Sequence, residues 1–315
     1  VTGSRTRTLG IFAAFLGGIG AAVQARINGE LGARLNDGIA AAVISFGSGL
    51  VLLTIAVLAL PAGRAGLGLV AAKLRDGRMR AWECLGGACG ALLVASQGLT
   101  VATLGVATFT VAVVAGQTGS GLAVDRAGIG PGGVRPITTQ RALGAALTVV
   151  AVLIAVSNHL GAPGSLLLAI LPLVAGAGMA WQAAANGRVR AASGGVLPTT
   201  FINFAVGTTA LLLAFAVSLA VRGVPTGSLP TELWLYLGGI LGVGFIAMAA
   251  AVVRHIGVLL LGLGMIAGQV SGALILDQFA PGRAGQPSAS TLLGAALTLV
   301  AVAIAGRSGK ARPSS

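Results

Sequence analysis

Charge is scarce in this 315-residue chain: Asp, Glu, Lys and Arg together make up 9% of it, and only 7 residues are acidic. A soluble domain carries about 25% charged residues, so a water-facing surface of ordinary polarity cannot be built from this sequence. Histidine is nearly absent, with 2 residues, His159 and His255, too few for a metal cage or a convincing Ser/His/Asp set. The 2 cysteines, Cys84 and Cys89, lie five positions apart and fall on different helical faces, which disfavours a mutual disulfide or a metal site. No P-loop is present; Gly128, Gly130 and Gly133 match G-x-G-x-x-G in spacing but lack the strand–helix setting of a dinucleotide site. No cofactor and no catalytic set is expected, so the reading is not an enzyme.

What the chain has is apolar length. Hydrophobic residues make up 56% and the mean hydropathy is +0.96, the opposite of a disordered composition. A bilayer core takes about 20 helical residues at ~1.5 Å each. Stretches of that kind run over 9–27, 38–60, 82–101, 104–124 and 141–158, then 165–187, 197–221, 233–253, 256–276 and 290–306. They are apolar on every face, which excludes the alternating strands of an outer-membrane barrel. The expected fold is therefore all-α, a polytopic membrane protein of ten transmembrane helices. Pro61-Ala62-Gly63, Gly130-Pro131-Gly132-Gly133, Gly161-Ala162-Pro163-Gly164 and Pro281-Gly282 punctuate the runs as loops. Arg5 and Arg7 precede the first run as they would a signal peptide, but the run is long enough for a retained span.

The formal charge of +13 is scattered between these runs and forms no basic face, so no nucleic-acid partner is expected. With the N-terminus in the cytoplasm, 16 of the 20 Lys and Arg residues fall in inside segments and 4 outside (Arg26, Arg34, Arg222 and Arg283). That split places both termini on the cytoplasmic side of a membrane.

The chain also repeats itself. Gln24, Asn28, Gly29, Phe46 and Gly49 recur 158 positions on as Gln182, Asn186, Gly187, Phe204 and Gly207. Leu85-Gly86-Gly87, Ala115-Gly116-Gln117 and Asp125 recur 152 positions on as Leu237-Gly238-Gly239, Ala267-Gly268-Gln269 and Asp277. Leu143–Thr148 recurs 150 positions on as Leu293–Thr298. Five spans per copy is an odd number, so the second copy enters the bilayer from the other side. The expected division is 1–158, an inverted copy at 159–306, and a disordered cytoplasmic tail at 307–315. Inverted repeats let one midplane site face either side in turn, the architecture of a secondary transporter.

Five-plus-five inverted spans with short loops resemble the drug/metabolite transporter superfamily. Gly20–Gly29 with its Gln24 and Asn28, followed by Ser45-Phe46-Gly47-Ser48-Gly49, is similar to the YdcZ-like inner-membrane exporter branch. The resemblance covers residues 9–306 and implies export of a small molecule without naming one. Small multidrug exporters of that superfamily carry a coupling glutamate in the first span; here that face holds Gln24, which cannot exchange a proton.

Polar residues within spans face protein or a wet cavity. Gln24 and Asn28, and Gln182 and Asn186, are i, i+4 pairs on one helical face. Together with Ser45, Asn203, Gln117, Gln269 and Trp181 they are the candidate substrate-binding set; interhelical hydrogen bonding is the competing role. Asp125 and Asp277 are candidates for ion coupling, against ordinary roles as caps or surface partners of Arg126 and Arg283. Glu30 and Glu83 are expected to be solvated. Small-xxx-small spacing at Gly86/Gly90, Gly238/Gly242 and Gly264/Gly268/Gly272 predicts close helix approach within the chain. The transporter reading, with a small polar or amphipathic metabolite as substrate and a monomer or homodimer in lipid, stands against two others. One is a membrane enzyme for lipid-linked substrates, the other an accessory scaffold.

Overall fold

A computed structural model of the chain describes residues 2–130, 133–134, 136–157 and 165–307. Every regular element among them is helical. In order they are α1 (Thr2–Leu35), α2 (Gly38–Ala59), α3 (Pro61–Arg75), α4 (Gly86–Leu104), α5 (Val106–Arg126), α6 (Thr139–Val156), α7 (Ser165–Ser193), α8 (Val196–Arg222), α9 (Gly238–Phe279) and α10 (Ala289–Arg307). Short 3₁₀ turns at Ala81–Cys84 and Leu233–Tyr236 lead into α4 and α9. His159, the loop expected at Gly161–Gly164 and the tail from 308 onward lie outside the described residues, and Arg5–Thr8, which the sequence suggests are mobile, lie within α1.

Local chemistry sets the boundaries. Asp37 caps α2, its Oδ1 accepting from the Ile39 and Ala40 N–H groups at 2.8 and 2.9 Å. Pro61 opens α3 at a position where its missing N–H costs nothing. Gly105, at φ +79°, separates α4 from α5 in a conformation that other residues rarely adopt.

Eight helices among the described residues are long and apolar enough to cross a membrane, and two shorter apolar ones span Gly238–Ala249 and Ala289–Ala305. Exposed Val51, Ile55, Leu58, Leu153, Leu213 and Val217 belong against lipid rather than water. Two features depart from the expected spans. α3 is an additional amphipathic helix, unforeseen because its glycines and basic residues read as loop. The loop expected between residues 253 and 256 is instead helical, and His255 lies within α9. The order of neighbours along α1 nevertheless reverses between Ile256 and Gly264. Gly238 and Gly242 lie against Asn28 and Gln24, and Gly10 lies against Val252 and Ile256, so this half runs antiparallel to α1. Gly264, Gly268 and Gly272 then meet Ala14, Phe15 and Ile19 in the parallel sense.

Contacts recur in matched pairs. Gly49 packs on the Phe204 ring and Gly207 on the Phe46 ring; Gly239 meets the Ser45 carbonyl and Gly87 the Asn203 carbonyl. Gly268 abuts Phe15 as Gly116 abuts Leu173, and Gly294 abuts Ala151 and Ala155 as Gly144 abuts Ala301 and Ala305. The members of each pair differ by the sequence shifts of 150, 152 and 158. At the centre Phe46 and Phe204 stack on one another, ring centroids 4.8 Å apart. The expected small-residue packing is thus found inside the chain.

Candidate functional site

A cavity of about 330 Å³ opens beside this aromatic pair. Its polar lining comes from α1 (Gln24), α4 (Gln97), α5 (Gln117), α7 (Gln182, Asn186), α8 (Asn203) and α9 (Gln269). Phe46, Phe204, Phe245, Met179 and Met265 supply apolar wall. Among the described residues every polar side chain in the lining is an amide and none is ionisable. Such a wall offers donors and acceptors together, with polarisable sulfur and ring faces, and no fixed charge.

Glycines make the room. Gly90 faces the Gln182 amide and Gly242 the Gln24 amide, so each amide lies where a neighbouring helix has no Cβ. Asn203 Nδ2 donates to Asn186 Oδ1 at 3.1 Å, tying α8 to α7 at the cavity wall. Gln182 is 7% exposed and its Oε1 accepts no hydrogen bond among the described residues, which leaves an acceptor for a ligand donor.

Six of the nine candidate binding residues therefore line one cavity: Gln24, Gln182, Asn186, Asn203, Gln117 and Gln269. Three do not. Asn28 is fully buried and donates from Nδ2 to Gln97 Oε1 at 2.7 Å, a clasp between α1 and α4. Ser45 is buried beside it across Gly238. Trp181 packs on Trp82, centroids 6.2 Å apart, rather than lining the cavity. Gln97 is the polar residue that sequence reasoning missed; a position 152 further on holds Ala249, so the search for repeated amides passed over it.

The acidic residues also differ from expectation. Neither coupling candidate reaches the cavity lining. Asp277 accepts from the Val106 and Ala107 N–H groups at 3.2 and 2.7 Å and pairs with Arg26 at 3.1 Å, not with Arg283. Asp125 pairs with Arg141 from α6 rather than with the adjacent Arg126. Glu83, expected in water, is 8% exposed and bonded to Arg188 at 2.9 Å. Arg188 in turn lies 5.6 Å from the Trp82 ring and donates to the Ile129 carbonyl. Glu30 keeps an exposed i, i+4 pair with Arg34, which also reaches Glu232 at 2.8 Å. Cys84 and Cys89 are free thiols, and no group of three potential metal ligands occurs among the described residues.

Long apolar helices bundled around an amide-lined cavity are the build of a multi-pass membrane protein. The chain belongs to the family described as "Putative inner membrane exporter, YdcZ", within the drug/metabolite transporter superfamily, which it matches over residues 9–154 and 167–304. No curated protein matches the sequence. A solved chain described only as "Crystal structure of protein" is 16% identical and superposes with a TM-score of 0.54, covering 98% of this chain and 99% of its own, and so shares the fold.

Proposed function

We propose that the protein is a secondary transporter, an exporter or permease for a small uncharged polar or amphipathic metabolite, working by alternating access between two inverted five-span halves. The observation that carries this reading is the cavity of about 330 Å³ whose polar groups are all amides, drawn from helices of both halves. An uncharged wall favours a solute that can exchange hydrogen bonds for those it makes with water, and it penalises a bare ion. The matched contacts about the Phe46–Phe204 stack support a pseudo-twofold relation between 1–158 and 159–306. The reversal within α9 and the two shorter apolar helices support ten crossings rather than eight. An even number of crossings agrees with both termini on the basic, cytoplasmic side.

The test is flux in proteoliposomes. A panel of neutral amphipathic solutes is screened with wild-type protein, with and without a proton gradient, and then with Gln24→Leu and Gln182→Leu. Flux that falls at least about tenfold in either variant, the loss of one transition-state hydrogen bond, supports the cavity as the route. Undiminished flux in both variants contradicts it.

A further inference from the structure

The two aspartates excluded from the cavity occupy matched positions, since Asp277 is Asp125 shifted by 152. Their surroundings are not matched. The Asp277 side chain is 3% exposed and closes one end of the bundle: it caps the first turn of α5 and takes Arg26 from α1. The same shift carries its backbone partners Val106 and Ala107 to Val258 and Leu259, and the turn glycine Gly105 to Gly257. The Asp125 side chain is 32% exposed and pairs only with Arg141 among the described residues.

Packing shows the same asymmetry. Val106 to Gly116 are buried without interruption. Of their counterparts, Leu260, Gly262, Leu263, Met265, Ile266 and Ala267 are only half-buried. Gly262 and Ile266 line the cavity, whereas their counterparts Thr110 and Val114 are sealed away from it. The bundle is thus tight at the end held by Asp277 and loose at the end where Asp125 could act.

We propose that Asp277 and Asp125 are alternate latches of the transport cycle. Asp277 holds the α4–α5 end shut in the present state. In the opposite state it lets go, and Asp125 caps the backbone at Val258 and Leu259 to shut the other end; Arg26 has no basic counterpart there, its matched position being Ala184, and Arg141 is the partner Asp125 already holds. Both are positioning residues that act on the gates and do not touch the solute. The proposal rests on the alternating-access reading.

The test measures the gate directly. In a Cys84→Ser/Cys89→Ser background, spin labels at the exposed positions Thr103 and Phe279 report the width of the Asp277 end by double electron–electron resonance in proteoliposomes. Asp277→Asn should raise the ratio of long to short distances by about tenfold or more, the effect of losing a charge-assisted hydrogen bond. Adding Asp125→Asn should return the distribution toward the short distance, because the competing state has lost its own latch. If Asp277→Asn fails to reconstitute, Arg26→Gln replaces it and should shift the ratio in the same direction. An unchanged distribution in the first variant, or a double variant identical to it, overturns the proposal. Flux measured in the same liposomes separates the two readings. Distances that shift as expected while no solute moves contradict transport but keep the latches; intact transport with unmoved distances does the reverse.

Discussion

At the scale of single residues, the bundle depends on what glycines leave out. A Cβ at Gly87 would meet the Asn203 carbonyl and the Gly207 backbone, whereas a Cβ at Gly47 would meet nothing within 4 Å. Both lie inside helices, so they separate packing from backbone propensity. Gly87→Ala should lower stability by about 1–3 kcal/mol through overpacking, and Gly47→Ala should be neutral or stabilising by up to about 1 kcal/mol. Thermal unfolding in detergent distinguishes them. The Asn28–Gln97 bond is a second residue-level case. Gln97→Leu leaves the fully buried Asn28 amide without its acceptor and should cost about 1–3 kcal/mol. A double-mutant cycle with Asn28→Ala should recover a coupling of about 0.6–2 kcal/mol. A coupling of zero would mean that the clasp contributes nothing.

At the scale of elements, the sharpest device is the α4–α5 turn. Gly105 takes φ +79°, and a Cβ there would sit 3.0 Å from Asp277 Oδ2. Gly105→Ala should therefore cost about 1–3 kcal/mol from the extended positive-φ backbone alone, with further loss from crowding the carboxylate that caps α5. The same midpoint measurement checks it; a neutral result would mean that the turn relaxes freely. The helices were legible in the sequence because apolar length and glycine–proline punctuation are one-dimensional signals. α3 was not, because Arg64, Lys73 and Arg75 looked like loop charge until the backbone placed Gly63, Gly66 and Val70 on one buried face. The partners of Asp125, Asp277 and Glu83 were hidden for a different reason. Arg141, Arg26 and Arg188 lie 16, 251 and 105 positions away, and only tertiary packing brings them near.

At the scale of the whole molecule, the repeat made most of the candidate site readable. Amides kept at a fixed shift predicted Gln24, Gln182, Asn186, Gln117 and Gln269, and those meet at one cavity. The same reasoning placed Asn28 there wrongly: its repeat partner Asn186 bonds to Asn203, but the matched position in the first half is Ser45, and Asn28 turns to Gln97 instead. The proposed arrangement of two inverted five-span halves carries a consequence for the sidedness of the ends. Tags at both termini should be protected or exposed together in right-side-out and inverted vesicles; opposite protection would mean an odd number of crossings.

The proposal that the cleft opens to each side in turn is tested most directly by thiol labelling at one cavity position. Gln24→Cys in the Cys84→Ser/Cys89→Ser background is exposed in sealed proteoliposomes of defined orientation to a membrane-impermeant maleimide, added from one side and then, in a separate sample, from the other. The account predicts reaction from both sides, each slowed by a solute that the protein carries. Labelling from one side alone, or from neither, would contradict it.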